Sequence, residues 1–161
     1  MRPTPWSAAL AVLALAACGG GGGGTRPSGP ALAVAGDYTI RKTVLADTCG
    51  LSAPGDVIEN PGSVRQTAGQ SSFVLNDHGT RDLPGAVRPD GSFDLQPSAG
   101  LVMNSIRATD TFSEGRFTAG GFALRDTTDL DRSPAPGAAP GPCRVVAAWA
   151  ATKQGAPNVI P

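Results

Sequence analysis

Gly115-Arg116-Phe117-Thr118-Ala119-Gly120-Gly121-Phe122-Ala123-Leu124 is the stretch that decides the fold. Two short runs, each with a phenylalanine among small or polar neighbours, flank Ala119-Gly120, where small residues let the chain reverse. Phe122 and Leu124 alternate with polar or small positions, a period of two that puts both on one face of a strand. The same Phe-x-Leu spacing recurs at Phe73 with Leu75 and at Phe93 with Leu95, each just after a turn signal. Three such copies read as successive strands of a meander.

The pattern extends in both directions. Tyr38, Ile40 and Val44 share parity with Lys42 in a first strand. Residues 64–67, the turn Ala68-Gly69-Gln70 and residues 71–76 form a hairpin. Arg88-Pro89-Asp90-Gly91 is a strong turn, because Pro presets φ and Gly accepts positive φ. Residues 101–112 form a further strand, and residues 57–62 either a strand or a bulged lead-in. The last strand covers 143–152, with Val145, Ala147 and Trp149 on one face. No segment sustains a 3.6-residue period, so helix content is expected to be low.

Composition agrees. The chain has 161 residues, room for one domain, and 22 glycines with 15 prolines against only eight aromatic residues. Thirteen basic and thirteen acidic side chains balance, which argues against a nucleic-acid partner. Residues 130–142 hold four prolines and read as an exposed loop.

The start of the chain carries an address. Arg2 is followed by an unbroken apolar run over 8–17, too short for a membrane span. It ends in Leu15-Ala16-Ala17-Cys18, then Gly19. That tetrapeptide resembles the bacterial lipobox, and the resemblance implies removal of 1–17 and lipidation of Cys18. An ordinary secretory signal is the alternative. Gly19 rather than Asp resembles the pattern for delivery to the outer membrane, facing the periplasm or the surface. Two or more acyl chains would anchor the protein stably. Residues 18–35, with six consecutive glycines, read as a flexible tether, and the body spans 36–153 with a frayed tail at 154–161. A phosphate loop would need a preceding strand and a following helix with Lys-Ser/Thr, and neither is present.

With Cys18 lipidated, Cys49 and Cys143 remain, and an exported pair implies one disulfide. It would bring first and last strands together, which favours an antiparallel meander closed into a barrel; the alternative is a β-sandwich with adjacent terminal strands. No Cys-x-x-Cys exists and the one histidine is remote, so no metal is expected, nor any other cofactor. Gly36-Asp37-Tyr38 opens the first strand much as Gly-x-Trp opens lipocalins and related calycin barrels, and Arg144 is the nearest match to the family's arginine near the last strand. The resemblance implies an eight-stranded barrel that binds a small apolar ligand or a protein partner.

Candidate sites follow. His78, in Asn76-Asp77-His78-Gly79, pairs a general base with Asp77 or Asp82, or simply occupies a tight turn; Gly-x-Ser-x-Gly is absent. Asp126, Asp129 and Asp131 could hold Ca²⁺, but the calcium-loop pattern is missing and Arg125 and Arg132 neutralise them, so a solvated loop is expected. Glu59 and Glu114 are candidates for a glycosidase pair. Tyr38, Phe73, Phe93, Phe117, Phe122 and Trp149 either line a ligand cavity or fill the core, and the packed core is preferred. The expectation is a monomeric, lipid-anchored envelope protein that binds an apolar ligand or an envelope protein without catalysis, or maintains the envelope. The alternatives are an enzyme inhibitor that inserts the 130–142 loop into a cleft, and a small cell-wall hydrolase.

Overall fold

The computed structural model describes residues 32–79, 81–97, 102–103, 106–132 and 142–160. The expected leader, Cys18, most of the expected tether and most of the expected 130–142 loop lie outside the described residues. Among the described residues nine antiparallel strands follow in order: β1 (Gly36–Asp47), β2 (Val57–Gln66), β3 (Ser72–Asp77), β4 (Arg81–Val87), β5 (Ser92–Leu95), β6 (Val102–Met103), β7 (Ile106–Thr118), β8 (Gly121–Arg132) and β9 (Cys143–Lys153). Among the described residues there is no helix.

Sheet order runs β5-β4-β3-β2-β1-β9-β8-β7-β6, and β5 also pairs with β7. That last pairing closes eight strands into a barrel and removes the exposed edges a sandwich would keep. β6 is a two-residue addition to β7 near the mouth. The seam is narrow: Ser92 pairs with Arg116 and Phe93 with Gly115. A Cβ on Gly115 would sit 2.5 Å from the Phe93 carbonyl oxygen and 2.8 Å from its ring, so only glycine lets the two backbones meet here. Just before it β7 carries a bulge between Ser113 and Arg116, with Glu114 at φ 58°. The bulge turns β7 towards β5 without ending it. Residues 106–118 are therefore one strand, where the sequence pattern reads two.

Alternation puts Tyr38, Ile40, Val64, Phe73, Leu75, Leu83, Val87, Phe93, Leu95, Phe117, Phe122, Leu124 and Ala151 inside. The phenylalanines pack ring on ring, Phe93 to Phe117 at 4.6 Å and Phe73 to Phe93 at 5.6 Å, with Tyr38 5.2 Å from Phe122. Offset and edge contacts of this kind fill one half of the interior. An eight-stranded barrel has room inside for little more than side chains, so this half is solid.

That half is also plugged from below. Val34 is fully buried, Ala33 bridges Val159, and Ile160 packs on the core. Buried Asn158 donates to the carbonyls of Thr118 and Gly121, while the Tyr38 hydroxyl lies 2.6 Å from the Val34 carbonyl and 2.8 Å from Asn158 Oδ1. The expected frayed tail is instead a structural plug, and the expected tether gives way to packed chain by Val34. At the opposite end Cys49 and Cys143 are bonded, with Cα atoms 5.0 Å apart and a sequence separation of 94. Closing a loop of that size stabilises the fold by about 4–5 kcal/mol on the chain-entropy account.

One open alternative closes and one further expectation changes. Residues 57–62 belong to β2, a true strand. β8 continues to Arg132, so Asp126, Asp129 and Asp131 lie in a strand and not at the entrance to a solvated loop.

Candidate functional site

The half of the barrel nearer the disulfide is filled differently. Inward parity continues past the apolar positions onto charged ones: Lys42 beyond Ile40, Asp77 beyond Leu75, Arg81 before Leu83, Asp110 before Phe112, Asp126 beyond Leu124. Together with Thr128 and Trp149 these side chains form a charged layer beneath the barrel mouth. Lys42 Nζ donates to both carboxylate oxygens of Asp77, at 2.8 and 2.6 Å, and stands 3.9 Å from the centre of the Trp149 ring. Arg81 pairs through Nη1 with Asp110 and through Nη2 with Asp77 at 3.3 Å. Its guanidinium carbon lies 5.7 Å from the Phe112 ring. The Thr128 hydroxyl donates to the other oxygen of Asp110 at 2.7 Å.

These pairs join strands that are not neighbours. Lys42 and Asp77 link β1 to β3 across β2, and Arg81 with Asp110 links β4 to β7 past the end of β5. The side chains are largely withdrawn from water, 18 % exposed for the two cations and 8 % for Asp77 and Asp110. Asp126 is only 7 % exposed, and its Oδ1 has no hydrogen-bond partner; neither has Trp149 Nε1. Burial, reinforced by the neighbouring Asp110 carboxylate, raises the Asp126 pKa to about 7, against partial relief from Arg81 and Lys42. At the plugged end, burial raises the Tyr38 hydroxyl to about 12, despite its bond to Asn158.

The rim above the layer is held by Asp47, whose carboxylate accepts the backbone N–H groups of Cys49, Gly50, Leu51 and Ser52. Desolvation pushes the Asp47 pKa up, but those four bonds outweigh it and the net shift is downward. Leu51 and Ile58 stand exposed on the same rim.

The other candidates are dispersed. His78 is exposed in the left-handed region at φ 54°, its N–H on the Pro61 carbonyl, while Asn76 Oδ1 accepts the Gly79 N–H. That is the tight turn. Asp77 points inward to Lys42, and Asp82 is outside with Asn76 and Arg65. Glu59 and Glu114 lie on β2 and β7, four strands apart whichever way the ring is counted. Asp129 pairs with Arg144 on the outer surface at 2.7 Å, and Asp131 is exposed. Arg144 therefore sits at the mouth end, away from Tyr38. It is Lys153 Nζ that approaches the Tyr38 ring, at 5.9 Å. Among the described residues no three His, Cys, Asp or Glu side chains are grouped to hold a metal ion. The six aromatics pack against one another or the layer; Phe73 also lines a recess of 620 Å³ with Val74, Pro84, Gly85, Ala86 and Leu95.

Sequence reading missed Arg81 and Asp110 and saw Lys42, Asp77 and Asp126 in other roles. The signal was there in the parity: each continues an apolar face by two residues. Compared with protein-family models, with curated proteins and with solved structures, the chain matches none.

Proposed function

We propose that this chain is a lipid-anchored protein of the bacterial cell envelope, carried on Cys18, whose barrel is a non-catalytic binding module. The recognition surface is the mouth with its charged layer, and the ligand is a polar or charged small molecule or an exposed segment of an envelope protein. The observation that carries this reading is the pair of buried, unpartnered polar atoms, Asp126 Oδ1 and Trp149 Nε1, in the charged layer of the half nearer the disulfide. Buried ion pairs stabilise a fold no better than apolar side chains of similar volume, so stability alone does not account for them. Binding is preferred to hydrolysis because His78 occupies a surface turn and the two glutamates face outward on opposite walls.

The anchor suits the same reading. Leu32 enters at the plugged end, 14 residues after Cys18. A Gly-rich coil of that length reaches about 20 Å, which favours the plugged end towards the membrane and the mouth away from it. The outer membrane is the expected destination, with the protein acting as a monomer and without a cofactor.

Native mass spectrometry of the protein extracted from envelopes tests this directly. The expected mass is that of residues 18–161 plus acyl chains, less two hydrogens for the disulfide, with a further mass that dissociates on activation. Cytosolic protein that retains Met1 and three reactive thiols overturns the anchor. Acylated protein that never carries a ligand, under any extraction, overturns the binding role.

A further inference from the structure

Among the described residues the charged layer holds three acids and two bases. Lys42 is committed to Asp77, and Arg81 to Asp110 and Asp77. Asp126, on β8, is more than nine-tenths buried and has an oxygen with no partner. Among the described residues, the strands around it present the following groups. β7 presents Asp110, β1 presents Lys42, β3 Asp77 and β4 Arg81; β9 presents Trp149, which does not titrate in this range. Among the described residues β2 and β5 bring no charged side chain to the inward face.

We propose that this layer is a proton-operated latch on the barrel mouth. With a proton on Asp126, two acids face two bases, and Arg81 holds Asp110 and so ties β4 to β7. When Asp126 ionises, a second carboxylate stands beside Asp110 in a poorly screened interior and competes for Arg81 and Lys42. The tie then loosens where β5 no longer reaches between β4 and β7. Burial and the Asp110 carboxylate place this ionisation near neutrality, a range that compartments outside the cytoplasmic membrane cross as their surroundings change. The latch regulates the mouth on which the proposed binding role rests, but it operates in the chain alone, without anchor or ligand.

Trp149 is a built-in reporter, since the chain's other tryptophan, Trp6, lies in the leader. In a Trp6→Phe background, emission from Trp149 should follow a single proton titration with a midpoint near pH 7. Amide exchange at the mouth ends of β4 and β7, corrected for intrinsic rates, should rise about tenfold between pH 6 and 8, the ratio of ionised fractions about that midpoint. Asp126→Asn should abolish both changes. If that variant does not fold, carboxyl ¹³C titration of the unaltered chain reads Asp126 itself. A midpoint that persists in Asp126→Asn, a carboxyl that titrates near 4, or mouth exchange that ignores pH each overturns the latch. Ligand capture by native mass spectrometry is a separate readout, so failure there leaves the latch standing and the reverse holds too.

Discussion

Arg81→Met isolates the tie between β4 and β7. Methionine keeps an unbranched apolar stem and removes the guanidinium. Asp110, whose side chain is 8 % exposed, is then left with the Thr128 hydroxyl. Removing one partner of a buried pair strands a charge in a poor solvent and costs about 3–5 kcal/mol. Asp77 is spared, because Lys42 still contacts both of its oxygens. The double variant Arg81→Met/Asp110→Leu takes both charges out and packs two apolar side chains beside Phe112. The remaining penalty is chiefly the lost Thr128 bond, about 1 kcal/mol. Urea unfolding followed by Trp149 emission at pH 6, where Asp126 keeps its proton, measures both. With an m-value of about 2 kcal/mol/M, the single change lowers the midpoint by about 1.5–2.5 M and the double change restores most of it. A single variant within about 1 kcal/mol of the parent, or a double variant no better than the single, refutes the claim that Arg81 and Asp110 act as a withdrawn pair.

Two further outcomes are expected. The folded Asp126 carboxyl is raised from 3.8 to about 7, so the folded chain binds more protons than the unfolded one between those values, and its contribution to stability falls as pH rises through that window and levels off above it. The full span amounts to about 4 kcal/mol, so Asp126→Asn should gain on the parent as pH rises from 5 to 8 in urea unfolding; parallel curves would contradict this. Gly115→Ala should cost about 1–3 kcal/mol by the same assay and raise amide exchange in β5, because the new methyl meets the Phe93 carbonyl at the seam. Gly120→Ala is the control, with nothing within 4 Å of the added atom and an expected change below about 0.5 kcal/mol.

The strands were legible because one-sided burial writes a period of two into the sequence, and Tyr38, Phe73, Phe93, Phe122 and Trp149 carry it. The disulfide was legible because a pair left over after Cys18 has one way to close. Closure was harder. It depends on a seam of two residue pairs and on Gly115 passing under Phe93, and glycine there reads equally well as a break between strands. The plug was hidden for a similar reason. Asn158 becomes a buried residue only because the Tyr38 hydroxyl and the carbonyls of Thr118 and Gly121 need partners, and they lie 120, 40 and 37 residues away. Asp126 was hidden by its neighbours: beside Asp129 and Asp131 it reads as part of a hydrophilic run, yet alternation turns it inward while Asp129 faces out to Arg144.

The two halves of the interior set the terms for what the barrel can do. Phe73, Phe93, Phe117 and Phe122 pack ring against ring, and the chain through Ile160 packs on that end. The proposed ligand is therefore assigned to the other half, where Trp149 and Phe112 meet edge to face at 6.0 Å and two cations lie over aromatic rings. An apolar filling would hold that half together at least as well. It could not offer a buried carboxyl oxygen and an indole N–H that have yet to find partners, nor change its charge by one near neutral pH. Those two properties are the ones a packed core lacks, and both belong to side chains beneath the mouth.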